Sequence, residues 1–395
     1  MLEATLRERT KGLLRASGRS DVPPFMVMDV MAAAARIEAA GGHVIHMEVG
    51  QPAAAAPKTA ILAAQAALEG GRIDYTSALG IPSLRERISR HYREAYGLVV
   101  DAGRIVITTG SSGAFILSFL AMFEPGDRVA VTVPGYPPYR HILTALGCEP
   151  VLIETSGENR HALTGEALLA AHRKTPLKGV LVGSPANPTG TMMSGEALTS
   201  LISAAEDAGI RFISDEIYHG LDYAFPAVTA AGLSPHALVI NSFSKYFCMT
   251  GWRVGWMVVP EPMVRPIERL QQNLAISVPT LSQIAAEAAF EGREEMEAVK
   301  RGYLENRRIL IEGLPRAGLT KFLPVDGAFY LYADVSDFTS DSFKFAGEML
   351  EKARVAATPG VDFDPIGGHR FIRFSYARSA EEMREAVERI ALWLG

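Results

Sequence analysis

The chain has 395 residues, 48% apolar and 21% charged, which describes a soluble globular protein with a large core and material for two or three domains. A net charge of −5 offers no basic excess for neutralising nucleic-acid phosphates, and it is too slight to suggest an acidic tail. The two cysteines, Cys148 and Cys248, make neither a disulfide framework nor a CxxC metal pair.

Residues 1–9 are charged throughout and lack the apolar centre of a signal peptide, and the strongest apolar stretch, 114–123, is far shorter than a membrane span. A cytoplasmic protein is therefore expected. Residues 1–47 hold helical material without a core of their own, so they are expected to pack on a second domain or on a partner subunit. Apolar runs then alternate with helical spacing, the sign of a parallel sheet flanked by helices. Strands are predicted at 104–109, 128–133, 179–182, 211–214, 237–240 and 254–259, and helices at 115–123, 137–146, 195–208 and 261–275. After about residue 280 the pattern changes to a long charged helix over 287–314, alternating strands at 327–332 and 371–376, and an amphipathic helix over 380–394. The expected fold class is α/β: a large domain, 48–285, with a mostly parallel sheet, and a smaller α+β domain from 286–395 with the N-terminal arm 1–47.

The residues that carry chemistry follow the strands, at the edge where ligands bind in open α/β sheets. Lys245 lies just past 237–240 among hydroxyls and aromatics, with Arg253 eight residues on. A lysine losing solvation beside another cation has a depressed pKa and becomes nucleophilic toward carbonyls. Gly110-Ser111-Ser112-Gly113 follows a strand and opens a helix, so its free N–H groups and hydroxyls can hold a phosphate that Arg253 would grip. Asn187 sits in Ser184-Pro185-Ala186-Asn187-Pro188-Thr189-Gly190, and Asp215 ends a strand, where its carboxylate can pair with a protonated ring nitrogen. Tyr136 is placed to stack on a flat ligand. Arg373 lies within an apolar strand, so it needs a partner, either a protein carboxylate or a substrate one. Each residue alone also fits a plain role: a surface lysine, a serine N-cap, a Pro-Gly turn, a helix-capping aspartate. His43 and His46 lack a third ligand and read as structural, and no metal is expected. Together the other residues describe a pyridoxal phosphate site.

From about residue 25 the chain resembles the class I/II aminotransferases of pyridoxal-phosphate fold type I, the aspartate aminotransferase superfamily. The carrying strings are Asn187-Pro188-Thr189-Gly190, Ser214-Asp215-Glu216-Ile217-Tyr218, Ser242-x-Ser244-Lys245 running on to Met249-Thr250-Gly251-Trp252-Arg253-Val254-Gly255, and Arg373-Phe374-Ser375-Tyr376-Ala377, with Gly50-Gln51-Pro52 and Asp74-Tyr75-Thr76 earlier. The resemblance implies catalytic roles for Lys245, Asp215 and Tyr218. Lys245 would bind the cofactor and shuttle protons, Asp215 would face the pyridine nitrogen, and Asn187 and Tyr218 would donate to the ring hydroxyl. Ser111, Ser112, Ser242 and Arg253 match phosphate-binding positions, Ser244 belongs with the cofactor-binding set, and Tyr136 matches the stacking aromatic. Arg373, helped by Gly50 and Asn187, matches the clamp on the substrate α-carboxylate. Tyr75 corresponds to a residue that reaches the phosphate across a dimer interface, which implies a homodimer with shared sites.

The implied reaction is ping-pong transamination between an L-amino acid and a 2-oxo acid. Acid-specific relatives carry a lysine where this chain has Ser112, or an arginine near 273–283, a segment without a cation here. A neutral or apolar amino acid is therefore expected in one half-reaction, with glutamate/2-oxoglutarate as the other pair. Two rivals stand beside this: a C–S β-lyase of the same fold, and a non-enzymatic aminotransferase-like effector domain, against which the short stretch before Gly50 and the acidic charge both argue.

Overall fold

A computed structural model describes residues 16–395. The charged start of the chain, on which the signal-peptide expectation rests, and residues 1–15 of the N-terminal arm lie outside the described residues. The arm enters as a helix, Met26–Ala39, followed by a two-residue strand, β1 (Ile45–His46). Helices Lys58–Glu69 and Pro82–Tyr96 lead into the sheet.

Seven runs build one sheet: β2 (Ile105–Thr108), β3 (Arg128–Val133), β4 (Glu149–Glu154), β5 (Gly179–Gly183), β6 (Arg211–Asp215), β7 (Leu238–Ser242) and β8 (Gly255–Val258). Their order is β2-β8-β7-β6-β5-β3-β4. The strands from β7 through β4 pair in parallel, and β8 runs antiparallel to both of its neighbours. Because helices cover both faces, the central strands read as unbroken apolar runs. Leu181, Ile213, Ile240 and Met257 point to one face with Phe115 and Phe119, while Val180, Phe212, Val239 and Trp256 point to the other with Phe243 and Phe247. Each such burial contributes about 1.5–3 kcal/mol. Strand β4 gave no signal in the sequence. It is one edge of the sheet, half-exposed, charged at both ends and carrying Pro150, as edge strands tolerate.

A second sheet is antiparallel: β9 (Lys321–Phe322), β10 (Tyr330–Asp334), β12 (Thr358–Pro359) and β13 (Phe371–Ser375), in the order β12-β13-β10-β9. Strand β11 (Val355–Ala356) instead pairs with β1. Helices Arg293–Gly313 and Ala380–Leu394 cover this sheet, the latter started by a reciprocal Ser379–Glu382 cap. The N-terminal helix packs on the same region, with Ala34 against Val44, Leu350 and Ala356.

Two expected elements differ. The single helix over 287–314 is two, Thr280–Ala289 and Arg293–Gly313, separated by the turn Phe290–Gly292. Phe290 buries its ring against Phe243 and Phe247, and Gly292 lies so close to Pro57 that a Cβ would fall 2.4 Å from it, so packing breaks a pattern that charge periodicity left continuous. The strand expected at 327–332 begins only at Tyr330, because Ala328 adopts φ 57° while its carbonyl accepts the Tyr223 hydroxyl at 2.6 Å. Among the described residues no helix is long and apolar enough to cross a membrane, and no three His, Cys, Asp or Glu residues cluster as metal ligands. His46 bonds Glu48 at 2.8 Å and Glu38 at 3.0 Å.

Candidate active site

Parallel strands deliver their following residues to one sheet edge, and the reversed β8 delivers its preceding ones to the same place. Gly255, which begins β8, lies opposite Ser242 and Thr108, so Arg253 arrives beside the start of helix Gly110–Met122. The fit is close. A Cβ on Gly110 would fall 2.6 Å from the Arg253 guanidinium, and one on Gly255 would fall 3.2 Å from the Ser111 nitrogen. Gly110 itself has φ +66°, which a side chain would strain. The guanidinium thus stands against free helix N–H groups and two serine hydroxyls, a donor set suited to a phosphate.

Along this edge lies a cavity of about 230 Å³ lined by Ser111, Ser112, Tyr136, Asn187, Asp215, Tyr218, Ser244, Lys245, Arg253, Arg373 and Gly50, among others. Lys245 Nζ donates to the Gly50 carbonyl at 2.5 Å and lies 5.8 Å from the Tyr218 ring centre. Burial, reinforced by the Arg373 and Arg253 charges and opposed by Asp215, pushes its pKa down to about 8. Asp215 is buried at the end of β6. Burial lifts its pKa to about 6, while the Tyr139 hydroxyl, donating to Oδ2, and the Ile217 N–H, donating to Oδ1 at 3.1 Å, pull the other way. Tyr218 Oη lies 2.7 Å from Tyr330 Oη.

Arg373 answers the question its sequence context raised. It is 1% exposed, yet among the described residues no carboxylate lies within salt-bridge distance. Its partners are neutral: Asn187 Oδ1 at 3.0 Å, Thr358 Oγ1 at 3.1 Å and the Glu48 carbonyl. The rings of Tyr330 and Phe363 flank it with centroids at 4.5 and 4.6 Å, and its Nε has no partner. A guanidinium held this way keeps its charge available to an incoming carboxylate.

Two expected cofactor contacts fall outside the cavity. The Ser242 hydroxyl is engaged within its own loop, near Ser244 Oγ at 2.8 Å and the Val254 carbonyl at 3.2 Å, and accepting the Ser244 N–H at 3.1 Å. Tyr75 stands on the surface, 80% exposed. Conversely, sequence reasoning missed several lining residues, among them Tyr139, Tyr330, Met28 and Met31. Tyr139 follows Tyr136 by three residues, and that helical spacing was the available signal. Tyr330, and Met28 and Met31 of the N-terminal helix, reach the cavity only through tertiary packing.

The family model for aminotransferase class I and II matches residues 42–390. A valine–pyruvate aminotransferase of Mycobacterium tuberculosis is 47% identical over 96% of this chain and 98% of its own length. The crystal structure of an aminotransferase from Mycobacterium tuberculosis superposes with a TM-score of 0.94 at 47% identity, covering 96% of this chain and 99% of that one. The aspartate aminotransferase from Thermus thermophilus, solved with maleate, gives 0.90 at 32% identity with the same coverage. The chain belongs to the class I and II aminotransferase family.

Proposed function

We propose that this aminotransferase holds pyridoxal 5′-phosphate in the cavity and exchanges an amino group between a neutral, apolar L-amino acid and a 2-oxo acid. The observation that carries the reading is Arg373, unneutralised and facing the same cavity as the lysine of depressed pKa. The donor set fits the group: Ser111, Ser112 and Arg253 would hold the phosphate, Asp215 the ring nitrogen, Asn187 and Tyr218 the ring hydroxyl, and Tyr136 the ring face. When bound, the cofactor supplies an aldehyde carbon for an amine and a ring that delocalises the electron pair left at Cα.

The chain's own residues do the rest. Arg373 binds the substrate carboxylate and so fixes where Cα lies relative to Lys245 Nζ. At a pKa near 8, Nζ can take a proton from Cα and return it at neutral pH. Asp215, ionised above about 6, would favour the protonated form of the ring nitrogen of the bound cofactor.

Substrate class follows from what remains of the wall. Lys245, Arg253 and Arg373 each have a task, and the other lining residues include Phe25, Val27, Met28, Met31 and Ile217. Among the described residues no further cation lines the cavity for a side-chain carboxylate, and the relative named for valine and pyruvate supports a small aliphatic donor with pyruvate as acceptor. Glutamate and 2-oxoglutarate would use Arg373 but press a second carboxylate on apolar walls, so they rank lower. Absorbance titration of the cofactor-loaded protein with valine, alanine, aspartate and glutamate tests this. Equal kcat/KM for aspartate and valine would refute the substrate class, and failure to bind any chromophore would refute the cofactor.

We also infer a homodimer, in which the exposed Tyr75 serves the partner's phosphate. Sedimentation tests the assembly, and faster loss of cofactor from Tyr75→Phe tests the contact.

A further inference from the structure

Tyr330 touches both halves of the site with different atoms. It sits on β10, 1% exposed, with its ring face against the Arg373 guanidinium and its hydroxyl 2.7 Å from that of Tyr218. Gly50 makes room for that hydroxyl, since a Cβ there would fall 1.8 Å from Tyr330 Oη; the Gly50 carbonyl meanwhile takes Lys245 Nζ. Tyr330 and Arg373 belong to the second sheet, whereas Tyr218 follows β6 of the first. The Tyr218–Tyr330 contact therefore bridges the two sheets beside the lysine.

We propose that Tyr330 is a positioning residue that couples the substrate-carboxylate clamp to the hydroxyl pair beside the cofactor ring, a role that rests on the cofactor reading above and deepens it. The two tasks are chemically separable. The ring face fixes the plane of the Arg373 fork, the more so because Phe363 closes the opposite side at 4.6 Å. The hydroxyl acts through Tyr218. When Tyr218 gives its hydrogen to an acceptor in the cavity, its oxygen accepts from Tyr330, and each bond polarises the next. Because Arg373 and Tyr330 ride on paired strands, Tyr332 opposite Arg373 and Tyr330 opposite Ser375, a shift of that sheet moves carboxylate clamp and hydroxyl donor together.

The experiment compares wild type, Tyr330→Phe and Tyr330→Leu, each loaded with pyridoxal phosphate. Two readouts are taken: the pH midpoint of the bound chromophore by absorbance, and kcat and KM for valine. Tyr330→Phe keeps the face and loses the hydroxyl. It should raise the midpoint and lower kcat by about two- to tenfold, the worth of one net hydrogen bond, with KM little changed. Tyr330→Leu loses both and should add a rise in KM of about two- to thirtyfold. An unmoved midpoint in Tyr330→Phe, or a KM in Tyr330→Phe as high as in Tyr330→Leu, overturns the proposal. Lack of a chromophore in the wild-type protein would fell the cofactor reading, and this role with it, before any variant is compared. Melting of each cofactor-free variant separates a folding defect from either outcome.

Discussion

Tyr139 donates its phenolic hydrogen to Oδ2 of Asp215, a carboxylate whose pKa burial raises and this bond pulls back down. The tyrosine has little freedom. Phe115 and Tyr136 meet it edge-on at 5.1 and 5.2 Å, and Gly183 lies so near that a Cβ there would approach its hydroxyl to 3.1 Å.

Removing that donor should raise the Asp215 pKa, because the bond favours the charged form. Tyr139→Phe is therefore expected to move the acid limb of the kcat profile to higher pH and to cut kcat/KM at neutral pH by about tenfold. An unshifted acid limb would contradict the role assigned to Tyr139.

Condensation of Lys245 with pyridoxal phosphate requires the neutral amine. In cofactor-free protein its rate should climb with pH and level off above about 8, well below the usual lysine value of 10.5. Arg253→Gln removes a neighbouring cation and should move the midpoint upward. Stopped-flow absorbance from about pH 6 to 10 measures both, and a midpoint near the ordinary lysine value would contradict the burial argument.

Arg373→Lys retains a charge but not the planar fork. KM for a neutral amino acid is expected to rise about 10- to 100-fold, the worth of a charge-assisted pair of bonds. Steady-state kinetics with valine decide this: an unchanged KM would mean that another group binds the carboxylate.

Stability should report His46. Its hydrogen bond to Glu48, helped by Glu38 and opposed by burial, raises its pKa from 6.5 to about 9. With the folded pKa above the unfolded one, the contribution is full below about pH 6.5 and fades as pH rises through about 9. The melting temperature of His46→Gln should lie below wild type at pH 6.5 and meet it near pH 10. A gap that is the same at both pH values would exclude the ion pair as its source.

Much of the arrangement was legible because α/β sheets carry their chemistry past strand ends. Lys245, Asp215, Asn187, Ser111, Ser112 and Tyr136 could be picked out from short apolar runs followed by polar residues, and all line one cavity. Arg373 was legible as a charge that needed a partner, but not as one that neutral oxygens and two rings hold. The surroundings of the Ser242 hydroxyl were not legible, because whether it faces a cavity or its own loop depends on where Ser244 and Val254 lie. Tyr330 and Met28 stayed hidden for a different reason. Some 300 residues separate them in the chain, and only docking of the second sheet and the N-terminal helix brings them to the same wall. The break at Phe290–Gly292 was invisible to periodicity, since Pro57 and Phe243 impose it from outside the helix.

The reversed strand β8 has a consequence for how this protein can vary. Lys245 and Arg253 leave and re-enter the sheet at neighbouring strands, so the seven residues between them act as a ruler. Length changes elsewhere end in surface loops, whereas one residue gained or lost here would slide the cation out of line with the helix start. Lineages of this chain should therefore tolerate substitutions within 246–252 far better than insertions, and a grafted loop of the same length should carry both cations with it as one transferable part.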